Sequence, residues 1–160
     1  MSSKETLPNM FDKLNIFLTS FIPQSETTTR PELTLQLATA VLLIEVMKSD
    51  GSTDEERATV LNILKERFQL PDAEVAILAE RGEQTSRTAN DFHQFTSLIN
   101  RELALPEKIK IVEYLWQVAY TDRHISAEEN HLMRRLADLL HISHGDYIAA
   151  KMRAKPMGMG

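Results

Sequence analysis

Along most of the chain, apolar residues fall at steps of three and four, the spacing of one face of an α-helix. The strict alternation of a half-buried strand is almost absent. Met10, Leu14, Phe17, Leu18 and Phe21 form a first stripe, which Pro8 can open and Pro23 can close. "PQSETTTRP" follows as a polar linker bounded by prolines. From Pro31 to Ser49 the pattern changes: Leu35, Leu37, Ala40, Val41, Leu42, Leu43, Ile44, Val46 and Met47 leave hardly any polar face. A helix apolar all round belongs at the centre of a bundle. Val60, Leu61, Leu64 and Phe68 mark the next helix, and Pro71 and Asp72 suit the first turn of another. Phe92, Phe95, Leu98, Ile99 and Leu103 give a further stripe, entered through Asn90 as a cap. Pro106 opens "PEKIKIVEYLWQVAY", and Leu132, Met133, Leu136, Leu139 and Leu140 line the helix after it. Ser143 and Asp146, in a capping relationship, begin a short last helix. The pattern predicts an all-α compact bundle of about seven to eight helices. It also divides the chain into an N-terminal amphipathic helix and linker (1–30), a helical domain (31–153) and a flexible tail (154–160).

Two seams between helices look alike. "MKSDGSTDEER" begins at Met47 and "AYTDRHISAEEN" at Ala119, and aligning Asp50 with Asp122 places matching positions 72 residues apart. Leu43 then meets Leu115, Ile44 meets Trp116, and Val46 meets Val118. Past the turn, Glu56 meets Glu128, Val60 meets Leu132, Leu64 meets Leu136 and Phe68 meets Leu140. Similarity of kind at that length predicts a duplicated helix–turn–helix unit with an internal pseudo-two-fold relation.

"SDGSTDEER", "LWQVAYTDRHISAEENHLMRRLADLLHIS" and the intervening "DFHQFTSLINREL" together resemble the tellurite-resistance TerB-like family, over roughly residues 30–153. The hallmark of that family is an Asp-Gly turn between two helices with a Glu six residues later, in two copies. The second copy departs from it at Arg123, where glycine is usual. The resemblance implies an all-helical, non-enzymatic cytoplasmic module linked to tellurite and other stress, with divalent metal held by its acidic residues.

The acidic turns admit two readings from the residues themselves. As fold maintenance, Asp54 and Ser126 serve as N-caps, and Ser126 with Glu129 forms a capping box. Glu55, Glu56 and Glu128 then favour the positive ends of their helices. As a metal site, Asp50, Glu56, Asp122 and Glu128 would converge if the two seams meet, since Ca²⁺, Mg²⁺ or Mn²⁺ needs several oxygens and four close carboxylates repel without a cation. An EF-hand is excluded, because Gly51 directly follows Asp50 instead of standing sixth in the loop. Of the histidines, His124 lies beside Asp122, while His93, His131, His141 and His144 make no paired zinc spacing. Glu45 in its apolar helix is expected to pair with Lys48 at the surface. Trp116 and Tyr120, four apart, are expected to share a core-facing side.

Composition narrows the partners. Among 160 residues, 18 basic against 23 acidic side chains give a net charge of −5, which is no footprint for nucleic acid. With no cysteine, disulfides, thiolate metal sites and cysteine nucleophiles are excluded. The first residues lack a basic leader, and the apolar run ending at Glu45 is too short to span a bilayer, which reads as a cytoplasmic protein. The stripe of Phe11, Phe17 and Phe21 must bury somewhere: on its own domain, in a homodimer, or on a membrane-associated partner. No nucleophile triad, phosphate loop or dinucleotide fingerprint is present. The rival to a metal-binding module is a metal-free protein-interaction scaffold, and a metal-dependent hydrolase is a third reading.

Overall fold

The computed structural model describes residues 33–49 and 51–158. The chain divides into two compact units, Met1–Leu33 and Thr34–Gly160, and every helix described belongs to the second. The predicted N-terminal amphipathic helix, and Asp50 itself, lie outside the described residues. Seven helices follow one another there without a strand: α1 (Leu35–Lys48), α2 (Asp54–Phe68), α3 (Asp72–Thr88), α4 (His93–Glu102), α5 (Leu105–Ala119), α6 (Ala127–Leu139) and α7 (His144–Ala154). Among the described residues no helix is long and apolar enough to cross a membrane.

Helix α1 is the axis that its uniform apolarity predicts. Nearly every residue from Leu37 to Met47 is buried, because α2, α3, α4, α5 and α6 all pack against it. Each large side chain buried there contributes about 1.5–3 kcal/mol. Thr34 starts the helix, its Oγ1 accepting from the Leu37 amide at 3.1 Å. Close approach of α3 depends on small residues: Ala40 of α1 faces Gly82 of α3, and Ile44 closes over the same glycine. One turn along, Ser86 of α3 meets both Glu45 and Lys48 of α1. Lys48 Nζ donates to Ser86 Oγ at 2.8 Å, and the hydroxyl donates to a Glu45 carboxylate oxygen. The expected direct Glu45–Lys48 surface pair is thus replaced by a bridge through a buried serine, since α3 comes close enough to place a hydroxyl between the charges.

The second half is centred on α5, with α7 laid along it. Trp116 is fully buried, its ring 5.8 Å from Tyr120 and 5.5 Å from Tyr147 of α7. Lys151 Nζ stands 4.8 Å above the same indole. Asn100 fastens α4 to the end of α6 and to α5: its amide donates to the Leu139 carbonyl at 2.9 Å and its oxygen accepts from Lys108 Nζ at 3.0 Å. Two helix starts differ from expectation. The cap of α2 is Thr53 with Asp54 already in the first turn. That of α4 is Phe92, with Asp91 Oδ1 accepting from the His93 amide at 2.9 Å instead of Asn90 capping.

Candidate functional site: the two acidic seams

Both seams are built by the same local chemistry. In the first, Ser49 ends α1, the Gly51 amide donates to the Lys48 carbonyl at 3.2 Å, and Gly51 takes φ +96°. Thr53 then caps α2: its Oγ1 accepts from the Glu56 amide at 3.1 Å, and its own amide donates to Glu56 Oε1 at 3.0 Å. In the second, the Arg123 amide donates to the Tyr120 carbonyl at 2.8 Å, and Arg123 takes φ +63°. Ser126 and Glu129 form the matching reciprocal pair at 3.0 and 3.1 Å. Each box satisfies two amides that a helix start would otherwise leave orphaned.

The left-handed residue therefore survives the loss of glycine at Arg123. An L side chain in that region costs about 1 kcal/mol, which Gly51 avoids. Arg123→Gly is expected to raise stability by about 0.5 kcal/mol at most, because glycine's greater freedom when unfolded takes back much of the relieved strain. A higher denaturant midpoint at unchanged slope would show it.

The residue that does in the second seam what Glu56 does in the first is Glu129, not the sequence-aligned Glu128. Glu56 and Glu129 are both fully buried, at 0 % exposure, whereas Glu128 points outward in the first turn of α6. The second loop holds one more residue between its aspartate and its cap than the first, which shifts the register at the helix start. The shift is recovered by the helix end, where left-handed Gln69 and His141 close α2 and α6. There the Leu70 and Ile142 amides return to the Lys65 and Ala137 carbonyls at 3.3 and 2.9 Å.

Asp122 is exposed, and its Oδ1 accepts from the His124 amide at 3.1 Å, an Asx-type turn. The seams are not remote from each other. Thr121, immediately before Asp122, places its Oγ1 3.1 Å from Thr59 Oγ1, one turn into α2 beyond Glu55 and Glu56. Among the described residues, however, no group of three or more His, Asp or Glu side chains could hold a metal ion. Of the four sequence-predicted ligands, Glu56 is engaged in its capping box, Asp122 and Glu128 face outward, and Asp50 is not described. The histidines His93, His124, His131, His141 and His144 are exposed and scattered over different elements.

Two features escaped the sequence reading. The Thr53–Glu56 box carries the same Thr/Ser-x-x-Glu signal as Ser126–Glu129 and was legible in the letters. The Glu45–Ser86–Lys48 bridge was not, because it joins residues far apart in the chain. A serine beside a lysine invites a nucleophile reading, but the Ser86 hydroxyl proton goes to Glu45 and Lys48 donates to the same oxygen. The group links two charges across a helix interface.

An all-helical module with paired, rigidly capped acidic hairpins is the class that these elements define. The family described as tellurite resistance protein TerB matches residues 36–152, and the chain belongs to that family. No match was found among curated proteins or among solved structures.

Proposed function

We propose that this TerB module is a non-enzymatic interaction scaffold that works in the stress setting its family name denotes. The observation that supports this reading is the use made of the two buried glutamates: each closes a capping box and so stiffens the seam in which it stands. What the second seam leaves for recognition is its exterior, with Asp122, Arg123, His124 and Glu128 exposed on one short turn. Such a turn, fixed at both ends by helices, offers polar groups to a protein partner at low ordering cost.

The second reading is a divalent cation, Ca²⁺, Mg²⁺ or Mn²⁺, bound by Asp50, Glu56, Asp122 and Glu128. The Thr59–Thr121 contact favours it, because it sets the second turn against the N-terminal half of α2. Calorimetric titration of the chelator-treated full chain with Ca²⁺, Mg²⁺, Mn²⁺ and Zn²⁺ separates the two. The scaffold reading expects no saturable heat and no rise in melting temperature with any of the four. Saturable binding that Asp122→Asn or Glu128→Gln abolishes would overturn it in favour of the cation.

A further inference from the structure

A groove of about 420 Å³ runs where α5 and α7 both end, beside the Thr59–Thr121 contact. Gln117, Tyr120, Arg123, Arg153, Ala154 and Pro156 line it, so the exterior of the second seam forms one wall and the end of α7 the other. The volume falls within the range of ligand clefts, about 300–1,000 Å³. Its walls are mostly exposed or half-buried residues, which makes it an open trough. The polar side chains around it are donors. Arg123 is exposed and makes no side-chain hydrogen bond or ion pair among the described residues. Arg153 Nε donates to Glu113 Oε1 at 3.0 Å, a carboxylate whose side chain is only 13 % exposed. That pair fixes the guanidinium and leaves its two Nη groups without a partner among the described residues. The Tyr120 ring packs against Trp116, and its hydroxyl, unlike that of Tyr147, is not sealed from solvent. Burial pushes the Tyr120 phenol's pKa up, so the hydroxyl is a proton donor at neutral pH.

Helix ends account for part of this charge, since the carbonyl ends of α5 and α7 carry partial negative charge that cations offset. Neither guanidinium donates to a carbonyl there, however: Arg153 turns to Glu113, and Arg123 to no group among the described residues. Asp122, next in the chain, is engaged by the His124 amide. Two guanidiniums against one engaged carboxylate leave a positive charge in excess at the groove. Arg123 also stands at φ +63°, a conformation that Gly51 supplies to the first seam without strain. An arginine held there keeps a guanidinium at the groove at a cost in stability, and such strain gathers where a side chain has work to do. Ala154, Pro156 and the Tyr120 ring add apolar contact between the donors.

We propose that this groove receives an extended acidic segment of a partner protein, its carboxylates pairing with Arg123 and Arg153 and its apolar side chains resting on Ala154, Pro156 and the Tyr120 ring. Charge complementarity selects the occupant: an acidic segment meets the excess positive charge, and a basic one is repelled. A guanidinium fork pairs with a carboxylate through two parallel hydrogen bonds. A trough open along one side suits a chain laid across it, whereas a small molecule would stay half in water. The inference rests on the scaffold reading above and names the partner that the exterior of the second seam would take.

Panning a displayed library of random peptides against the immobilised full chain is expected to enrich segments that carry Asp or Glu beside apolar residues. A fluorescein-labelled synthetic copy of one such segment should bind in solution, with an anisotropy that rises saturably and an affinity that falls as salt rises. The same peptide with Asn and Gln in place of its acids should not bind. Arg123→Gly should weaken binding about tenfold or more while melting no lower than the parent, an outcome that a merely structural arginine would not give. Arg153→Gln should weaken it similarly, and the half-exposed pair it gives up with Glu113 contributes little to folding. Acidic peptides that bind both variants as well as the parent would overturn the groove and leave the scaffold reading standing. Enrichment of peptides without acidic residues would do the same. A library that yields no specific binder would overturn both.

Discussion

Replacing Gly82 by alanine is expected to destabilise the protein by about 1–3 kcal/mol, although alanine is the better helix former by about 1 kcal/mol. Gly82 lies buried inside α3, and an added Cβ would come within 2.7 Å of Ile44 Cδ1 and 3.2 Å of Ala40 Cβ on α1. The first distance is below any tolerable contact. Ile44 is 1 % exposed and surrounded by packed neighbours, so its terminal methyl has little room to swing away. Helix α3 would have to move off α1, and that motion would also stretch the Lys48–Ser86–Glu45 bridge one turn further along. The check is a double-mutant cycle in chemical denaturation. Ile44→Val deletes the obstructing methyl, so the cost of Gly82→Ala should fall by more than half in that background. A Gly82→Ala protein more stable than the parent would mean that helix propensity outweighs the α1–α3 contact.

That glycine illustrates where the sequence stops being informative. The apolar run from Leu37 to Met47 announced a central helix, because no arrangement other than encirclement can bury every side of it. The prolines at 71 and 106 and the Ser143–Asp146 pair marked helix starts, since their chemistry is local to one turn. Trp116 and Tyr120 share a core-facing side as their spacing requires. Gly82, by contrast, reads as a weak helix residue until its neighbour on α1 is known. The Ser86 bridge likewise joins groups whose separation in the chain is set by a whole helix. Neither has a short-range signature.

The seams were half legible for the same reason. Both capping boxes are four-residue motifs, and the Ser126–Glu129 box was readable without coordinates. The matching box at Thr53–Glu56 was obscured by Asp54, an equally good capping residue one position later; Thr53 takes the extended conformation of a cap, and Asp54 already lies in the helix. At a constant spacing of 72 residues, the left-handed Gly51 and Gln69 of the first seam and helix end stand opposite the left-handed Arg123 and His141 of the second. That spacing fails at the helix start between them, because loop length is not constrained by periodicity. The aligned Glu128 thus inherited a partner that belongs to Glu129.

Glu129→Ala is accordingly expected to cost about 2 kcal/mol, and Glu128→Ala about 0.5 kcal/mol or less. Removing the Glu129 side chain takes away the acceptor for the Ser126 amide and leaves a void where a fully buried side chain stood. Glu128 gives up only an exposed charge near a helix start, a contribution that salt screens. Glu129→Gln keeps an acceptor oxygen and should recover a large part of the loss. Denaturant midpoints of the three variants test the register directly: equal costs at positions 128 and 129 would restore the uniform alignment. The asymmetry also decides how the acidic seams can be tested for a cation. A change at Glu56 or Glu129 loosens a helix start whether or not an ion binds, so any loss of binding there is ambiguous. Asp122 and Glu128 are exposed and outside both capping boxes, and only their variants can separate an ion's ligands from the protein's own caps.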